Sequence, residues 1–331
     1  MTDILQIDEK FTLRNYLSDI DQNEVVRNII RGLIAPQKCI SSIFFYDAAG
    51  SKLFEEITRL PEYYPTRTEK KLLLRLAPLL EKKSNPLNII EIGSGDCSKI
   101  SILLGALPPQ RWRTTRYVPM DASPDAIRES AVKLQDRFPG LEIEGIVADF
   151  THQLHHVPPG KNRLFCFLGS TIGNLSQEQN RQFFLDLGQI MLSGDSLLLG
   201  VDLIKPADIL EKAYNDGQGV TAAFNRNILK VVNRLVGTNF DPEAFGHLAF
   251  FNPDENRIEM HLKAEKDMRV TCPALPEDIL IGEEETIHTE NSHKYAQADI
   301  QALASTVGLE IQDSFTDENN WFSLIHLVKK Q

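Results

Sequence analysis

The stretch Leu87 to Ile100, LNIIEIGSGDCSKI, decides how the rest of the chain is read. Its first six residues form an almost unbroken apolar run, the composition of a strand covered on both faces in a parallel sheet. Gly93 and Gly95 follow, and residues without a Cβ allow a tight turn and a close approach of backbone to a ligand. A polar start to a helical pattern, SKISILLGAL, comes next. Strand, glycine turn and helix in this order are shared by several nucleotide-binding architectures, so the neighbouring segments have to discriminate among them.

Working outward, strand and helix patterns alternate. RYVPMDAS reads as a strand and SPDAIRESAVKLQDRF as a helix opened by the N-cap Ser123 and by Pro124. EIEGIVADF and RLFCFLGS read as strands, SQEQNRQFFLDLGQIM as a helix and DSLLLGVDLI as a strand. This is the signature of a doubly wound parallel sheet. Near the end, AQADIQALASTVG reads as a helix and LEIQDSFTD and WFSLIHLVKK as strands. Only a few polar residues separate these last two strands, too few for a helical crossover, so they must pair antiparallel. A terminal antiparallel strand on such a sheet separates S-adenosylmethionine methyltransferases from dehydrogenases.

Ligands of this architecture bind at the carboxyl ends of the strands. Gly93 and Gly95 close the first strand, Asp121 ends the second, and Asp149 with Phe150 ends the third. An acid in the second position can accept both hydrogen bonds of a ribose diol, and an acid beside an aromatic ring can hold and cover an adenine. A dinucleotide site requires G-x-G-x-x-G, and Ser98 stands where its third glycine belongs. A ligand without phosphates, S-adenosylmethionine, is favoured. Glu91 is open to two readings, a contact to that cofactor's ammonium or a structural carboxylate.

The segments FYDAAGSKLFEEITRLPEYYPTRTE, EIGSGDCSK, YVPMDAS, FLGSTIGNL, AYNDGQGVTAAFNRN and ETIHTENSHKY together resemble the L-histidine Nα-methyltransferases, which form hercynine in the first step of ergothioneine biosynthesis. The likeness runs over roughly residues 15 to 328. It implies that S-adenosylmethionine is held by Tyr46, Gly93, Lys99, Asp121, Asp149 and Phe150, and leaves as S-adenosylhomocysteine. It implies that L-histidine is held by Tyr63, Asn174, Tyr214, Met260, Glu290 and Ser292, with Asn174 and Tyr63 nearest the chemistry. Phenol hydroxyls can donate to a carboxylate without adding a charge, and an amide can orient the attacking nitrogen. Glu290 and Ser292, two apart on a strand, point the same way and can bracket one imidazole.

The expected fold is α/β, a Rossmann-like methyltransferase sheet with a terminal antiparallel strand plus a smaller α+β substrate-binding subdomain. Residues 1–85 are expected to form a helical segment contributing to the substrate and cofactor cleft. Residues 86–204 and 286–331 are expected to form the methyltransferase domain, with 286–295 also lining the substrate site, and 205–285 an inserted subdomain. The expected activity is methylation of the histidine α-amine in three rounds. The alternatives are a related α-N-methyltransferase of a tryptophan derivative, a nicotinamide oxidoreductase on the same architecture, and a non-catalytic binding protein.

A formal net charge of -11 argues against nucleic-acid or anionic-membrane partners. No apolar run is long enough to cross a membrane and no signal peptide is evident, so a cytoplasmic protein is expected, and a monomer on the resemblance. The four cysteines form no CxxC pair, and His152, His155 and His156 lie beside VPPG without acidic partners at ligand spacing. No metal is expected.

Overall fold

The computed structural model describes residues 3–17, 22–82 and 87–330. Its strands are, in chain order, β1 (Asp3–Gln6), β2 (Phe11–Asn15), β3 (Lys38–Cys39), β4 (Leu87–Ile92), β5 (Thr115–Asp121), β6 (Glu142–Val147), β7 (Arg163–Phe167) and β8 (Ser196–Asp202). They continue as β9 (Phe245–Asn252), β10 (Arg257–Ala264), β11 (Met268–Val270), β12 (Ile279–Ile281), β13 (Thr286–His293), β14 (Leu309–Thr316) and β15 (Phe322–Lys329). The chain divides into two compact units, one of Met1–Asp19, Pro65–Ile204 and Lys294–Gln331, the other of Ile20–Tyr64 and Lys205–His293.

The first unit is built on a nine-stranded sheet of order β1-β2-β6-β5-β4-β7-β8-β15-β14. From β2 to β8 neighbouring strands are parallel. Successive residues of β4 feed opposite faces: Ile89 enters the core that contains Leu72, Leu103 and Tyr117, and Ile90 the core that contains Val118, Phe165 and Phe183. From β4 the chain moves outward through β5 and β6, then returns to pair β7 with the other edge of β4. That reversal of strand order is where this architecture opens a ligand crevice, and Gly93 directly follows β4 there.

The final strand runs antiparallel as expected, and it is inserted between β8 and β14, antiparallel to both. The side chains account for the order. Most of FSLIHLVK is buried, whereas LEIQDSFT is largely exposed, so the more apolar strand takes the interior position and the polar one the edge.

The amino-terminal reading requires correction. Residues 1–85 are expected to form a helical segment, yet β2 joins the sheet parallel to β6 and β1 pairs back onto β2. Phe11 and Leu13 are buried while Thr12 and Arg14 are not, the period of a strand with one covered face. The remainder of 1–85 is also divided, since residues up to Tyr64 belong to the second unit and those from Pro65 to the first. Two helices follow, Ala48–Ile57 and Tyr64–Leu76, the second beginning within the stretch Pro61-Glu62-Tyr63-Tyr64-Pro65. The expected domain start at residue 86 lies outside the described residues.

The second unit has a four-stranded sheet, β3-β13-β10-β9, and a separate pair, β11-β12. Residues 286–293 were expected to return to the methyltransferase domain, but as β13 they pair antiparallel with β10 and parallel with β3 in this sheet. The long helix Val220–Val236 buries Phe224, Ile228, Leu229 and Val232 and ends at Gly237, whose positive φ allows its N–H to reach the Asn233 carbonyl. Helix Ala48–Ile57 starts at the N-cap Asp47, which accepts from the Gly50 amide. A Cβ on Gly50 would sit 1.7 Å from the Phe45 carbonyl oxygen, so only glycine fits that crossing.

Candidate active site

In the first unit the glycine turn is stretched over the end of β5. Gly93 and Gly95 have φ of +66° and +53°, the left-handed region that glycine enters without strain. The Gly93 N–H donates to the Met120 carbonyl at 2.8 Å. The Gly95 N–H donates to Asp121 Oδ2 at 3.0 Å, and the Ser123 N–H to Oδ1 at 2.9 Å. Burial pushes the Asp121 carboxyl above its ordinary value, and these backbone donors partly counter it. Asp121 therefore ties the first two strand ends together, and each of its oxygens keeps acceptor capacity for a diol.

The third strand end is equally organised. Asp149 Oδ1 accepts from the Thr151 N–H and hydroxyl at 2.8 and 2.6 Å, while Gln153 Oε1 holds the Asp149 amide. Phe150 is half-buried, its ring edge-on to Phe167 and Phe183 at 5.3 and 6.2 Å. Glu91 accepts a hydrogen bond from the Tyr117 hydroxyl, and its burial pushes its carboxyl up to about 8. Of the two readings left open, the structure supplies a partner for the structural one.

Lys99 stands immediately before the short helix Ile100–Gly105, with its Nζ 2.9 Å from Glu69 Oε2. Glu69 was not singled out in the sequence, where it lies within TEKKLLLRL and looks like one polar position of an amphipathic helix. Asn174 is the last residue of a single 3-10 turn, Thr171–Asn174. The segment leading to it is pinned at three points: the Gly169 N–H donates to Glu69 Oε1 at 2.8 Å, Ser170 Oγ accepts from the Asp202 N–H at 2.9 Å, and the Ile172 carbonyl accepts from the Tyr295 hydroxyl at 3.1 Å. Ser176 then caps helix Gln177–Ile190 with a reciprocal capping box to Gln179.

In the second unit the expected amino-acid residues form one connected group. Tyr63 is buried, its ring edge-on to Phe54 and Tyr214 at 6.3 and 6.2 Å. The Tyr214 hydroxyl donates to Ser292 Oγ at 2.7 Å. Across the β10–β13 ladder Met260 lies directly opposite Glu290, and Ile258 opposite Ser292, so Glu290 and Ser292 share a face as the two-residue period requires. Both are buried, at 8% and 6% exposure. Tyr46 also belongs to this unit and lies edge-on to Phe54 and Phe224 at 5.8 and 6.0 Å. Tyr64 is buried, and Lys205 Nζ donates to its hydroxyl at 2.8 Å.

A second cluster escaped the sequence reading. Glu259, His261 and His288 place potential ligand atoms within 4.8 Å of one another, from residues two apart on β10 and a register partner on β13. Spacing along the chain gives no sign of it. The Glu259 carboxylate is already engaged by Arg257, Asn252 and His261 at 2.9, 2.8 and 3.1 Å, and His288 Nε2 is 2.9 Å from Asn291 Oδ1. Burial raises the Glu259 carboxyl, but hydrogen bonds from Asn252, His261 and Arg257 and the guanidinium charge outweigh it, to about 2. The arrangement is that of a neutralised polar network.

A largely parallel sheet with an antiparallel strand inserted next to its last edge, a glycine turn without the third glycine of a dinucleotide site and acids at the next two strand ends define the class: an S-adenosylmethionine-dependent methyltransferase. Residues 25–329 match the family described as histidine-specific methyltransferase, SAM-dependent. The chain belongs to that family. It is 40% identical to the histidine N-alpha-methyltransferase of Mycolicibacterium smegmatis over 96% of this chain and 99% of that protein. It is 41% identical to the enzyme of the same name from Mycobacterium tuberculosis, over 90% and 92%. Ergothioneine biosynthesis protein 1 of Neurospora crassa is 26% identical over 96% of this chain, which spans 36% of that larger protein. Among the described residues no helix is long and apolar enough to cross a membrane.

Proposed function

We propose that this chain, as a cytoplasmic monomer, methylates the α-amino nitrogen of L-histidine in three rounds to the trimethyl betaine hercynine, opening ergothioneine biosynthesis. The observation that carries the substrate is the β10–β13 register, which sets buried Glu290 beside Met260 and on the same face as Ser292, itself bonded to Tyr214. The named mycobacterial and fungal relatives support the same reading.

When bound, S-adenosylmethionine supplies a sulfonium methyl that is already activated for transfer. The residues then have to bind and orient. Gly93 and Asp121 admit the ribose, Asp149 and Phe150 the adenine, and Tyr46 and Lys99 complete the cofactor contacts. Tyr63 would donate to the substrate carboxylate, Tyr214 would do so by turning its one hydroxyl proton away from Ser292 Oγ, and Glu290 would accept an imidazole N–H, which selects a ring bearing a donor. Asn174 would orient the attacking nitrogen, which must be neutral to offer a lone pair to the activated methyl. An ammonium has no lone pair, so a proton leaves before the first attack and after each of the first two transfers.

Mass spectrometry of the purified protein with S-adenosylmethionine and a panel of free amino acids tests this. Successive gains of one, two and three methyl groups on histidine are expected. No gain on histidine, or a preferred gain on tryptophan, would overturn the reading.

A further inference from the structure

We infer that Glu69 is a positioning residue that holds the Lys99 ammonium in place for the carboxylate of the cofactor's amino-acid moiety, an inference that rests on the proposed role of Lys99 as a cofactor contact. Glu69 lies on helix Tyr64–Leu76 and its side chain is fully buried. A carboxylate taken out of water is tolerated only when its charge and lone pairs are matched. Here one oxygen accepts from the Gly169 amide and the other faces Lys99 Nζ.

The space for this pair is made by two glycines. A Cβ on Gly200, in β8, would sit 2.1 Å from Glu69 Oε1, and a Cβ on Gly169 would sit 2.6 Å from Lys99 Nζ. Gly169 also has a φ of +83°, which side chains rarely adopt. The pair is asymmetric: Glu69 has no exposure, whereas the Lys99 side chain is 21% exposed. The carboxylate is therefore the fixed end and the ammonium the end a ligand can meet. An ammonium has three N–H donors, and one partner does not exhaust them. The cofactor's one anionic group is its carboxylate, so that is the group a held lysine would take. Through Gly169 the same carboxylate anchors the start of the segment that ends at Asn174.

Calorimetric binding of S-adenosylhomocysteine and of 5′-methylthioadenosine, which keeps the adenosine and sulfur but lacks the whole amino-acid moiety, tests the inference. In Glu69→Gln the new side chain still accepts from Gly169 but turns an N–H₂ group toward Lys99 and displaces it. S-adenosylhomocysteine should weaken about tenfold, the scale of one charged hydrogen bond, and 5′-methylthioadenosine should bind as to the wild type. Lys99→Met should show the same selectivity, and the double variant should be no worse than Lys99→Met alone. Unchanged S-adenosylhomocysteine affinity in Glu69→Gln, equal losses for both ligands, or additive losses in the double variant would overturn the inference while leaving Lys99 its role. Unchanged affinity in Lys99→Met would remove the reading beneath it. Should Glu69→Gln fail to fold, Gly169→Ala, which drives a methyl against the ammonium, is expected to give the selective loss, and wild-type affinity there would overturn the inference.

Discussion

Glu290 follows the acidic run GEEET, and composition alone makes it one more solvated charge. Its burial on β13, opposite Met260 and on the same face as Ser292, takes it out of solvent and sets it among the side chains proposed to hold the substrate. Glu290→Ala should therefore raise the KM for histidine by roughly ten- to a hundredfold, the scale of a charged hydrogen bond of about 1.5–3 kcal/mol. Binding of S-adenosylhomocysteine should not move, and steady-state kinetics with a parallel binding titration measures both. An unaltered KM would detach Glu290 from the substrate. Asn174 is a different case. In the sequence it is only a polar residue before a helix cap; the pinning of residues 169–172 is what gives it a fixed address. Asn174→Ala is expected to depress kcat by more than it weakens cofactor binding, and equal losses in both would argue against an orienting role.

Among the elements, helix Gln177–Ile190 was legible in full: Ser176 and Gln179 announce its start, and both halves of the capping box are present. Loss of one such cap costs about 0.5–2 kcal/mol. Ser176→Ala should lower the unfolding free energy by that amount in denaturant titration, and a change below the lower figure would mean that packing of Phe183, Phe184 and Leu187 holds the helix start unaided. The strands were legible wherever they are buried on both faces, as in β4, β7 and β8. Those missed were short or one-sided. β2 shows only two buried residues in five, and β3 has two residues in all, so neither gives a periodic signal long enough to separate from loop. The stretch from Arg257 to Val270 holds two strands, because residues 265–267 turn the chain and β11 pairs with β12.

For the molecule as a whole, two buried carboxyls shape stability against pH in opposite directions. Glu91 titrates near 8 when folded against an ordinary 4.5, so the folded protein keeps a proton that the unfolded chain gives up between those values. Its contribution is complete below about 4.5 and is lost as pH rises toward 8. Glu259 titrates near 2, so the unfolded chain binds the extra proton, and its contribution is present above 4.5 and lost as pH falls toward 2. Melting temperatures across this range should fall on both sides, with Glu91→Gln flattening the upper limb and Glu259→Gln the lower. An upper limb unchanged in Glu91→Gln would assign it to other groups. Local pattern determined a great deal: apolar runs fixed the central strands, the glycine turn and the acids after it marked the cofactor end of the sheet, and the short link before Phe322 forced an antiparallel ending. These depend on neighbours within a few residues, where backbone geometry and burial period act directly. The tertiary structure alone decided that Glu69 meets Lys99 and Gly169, that β13 pairs with β10 and β3, and that the chain divides at Tyr64 rather than at residue 85. Such contacts join residues far apart in the chain, and their energies come from packing and charge pairing that no local period encodes.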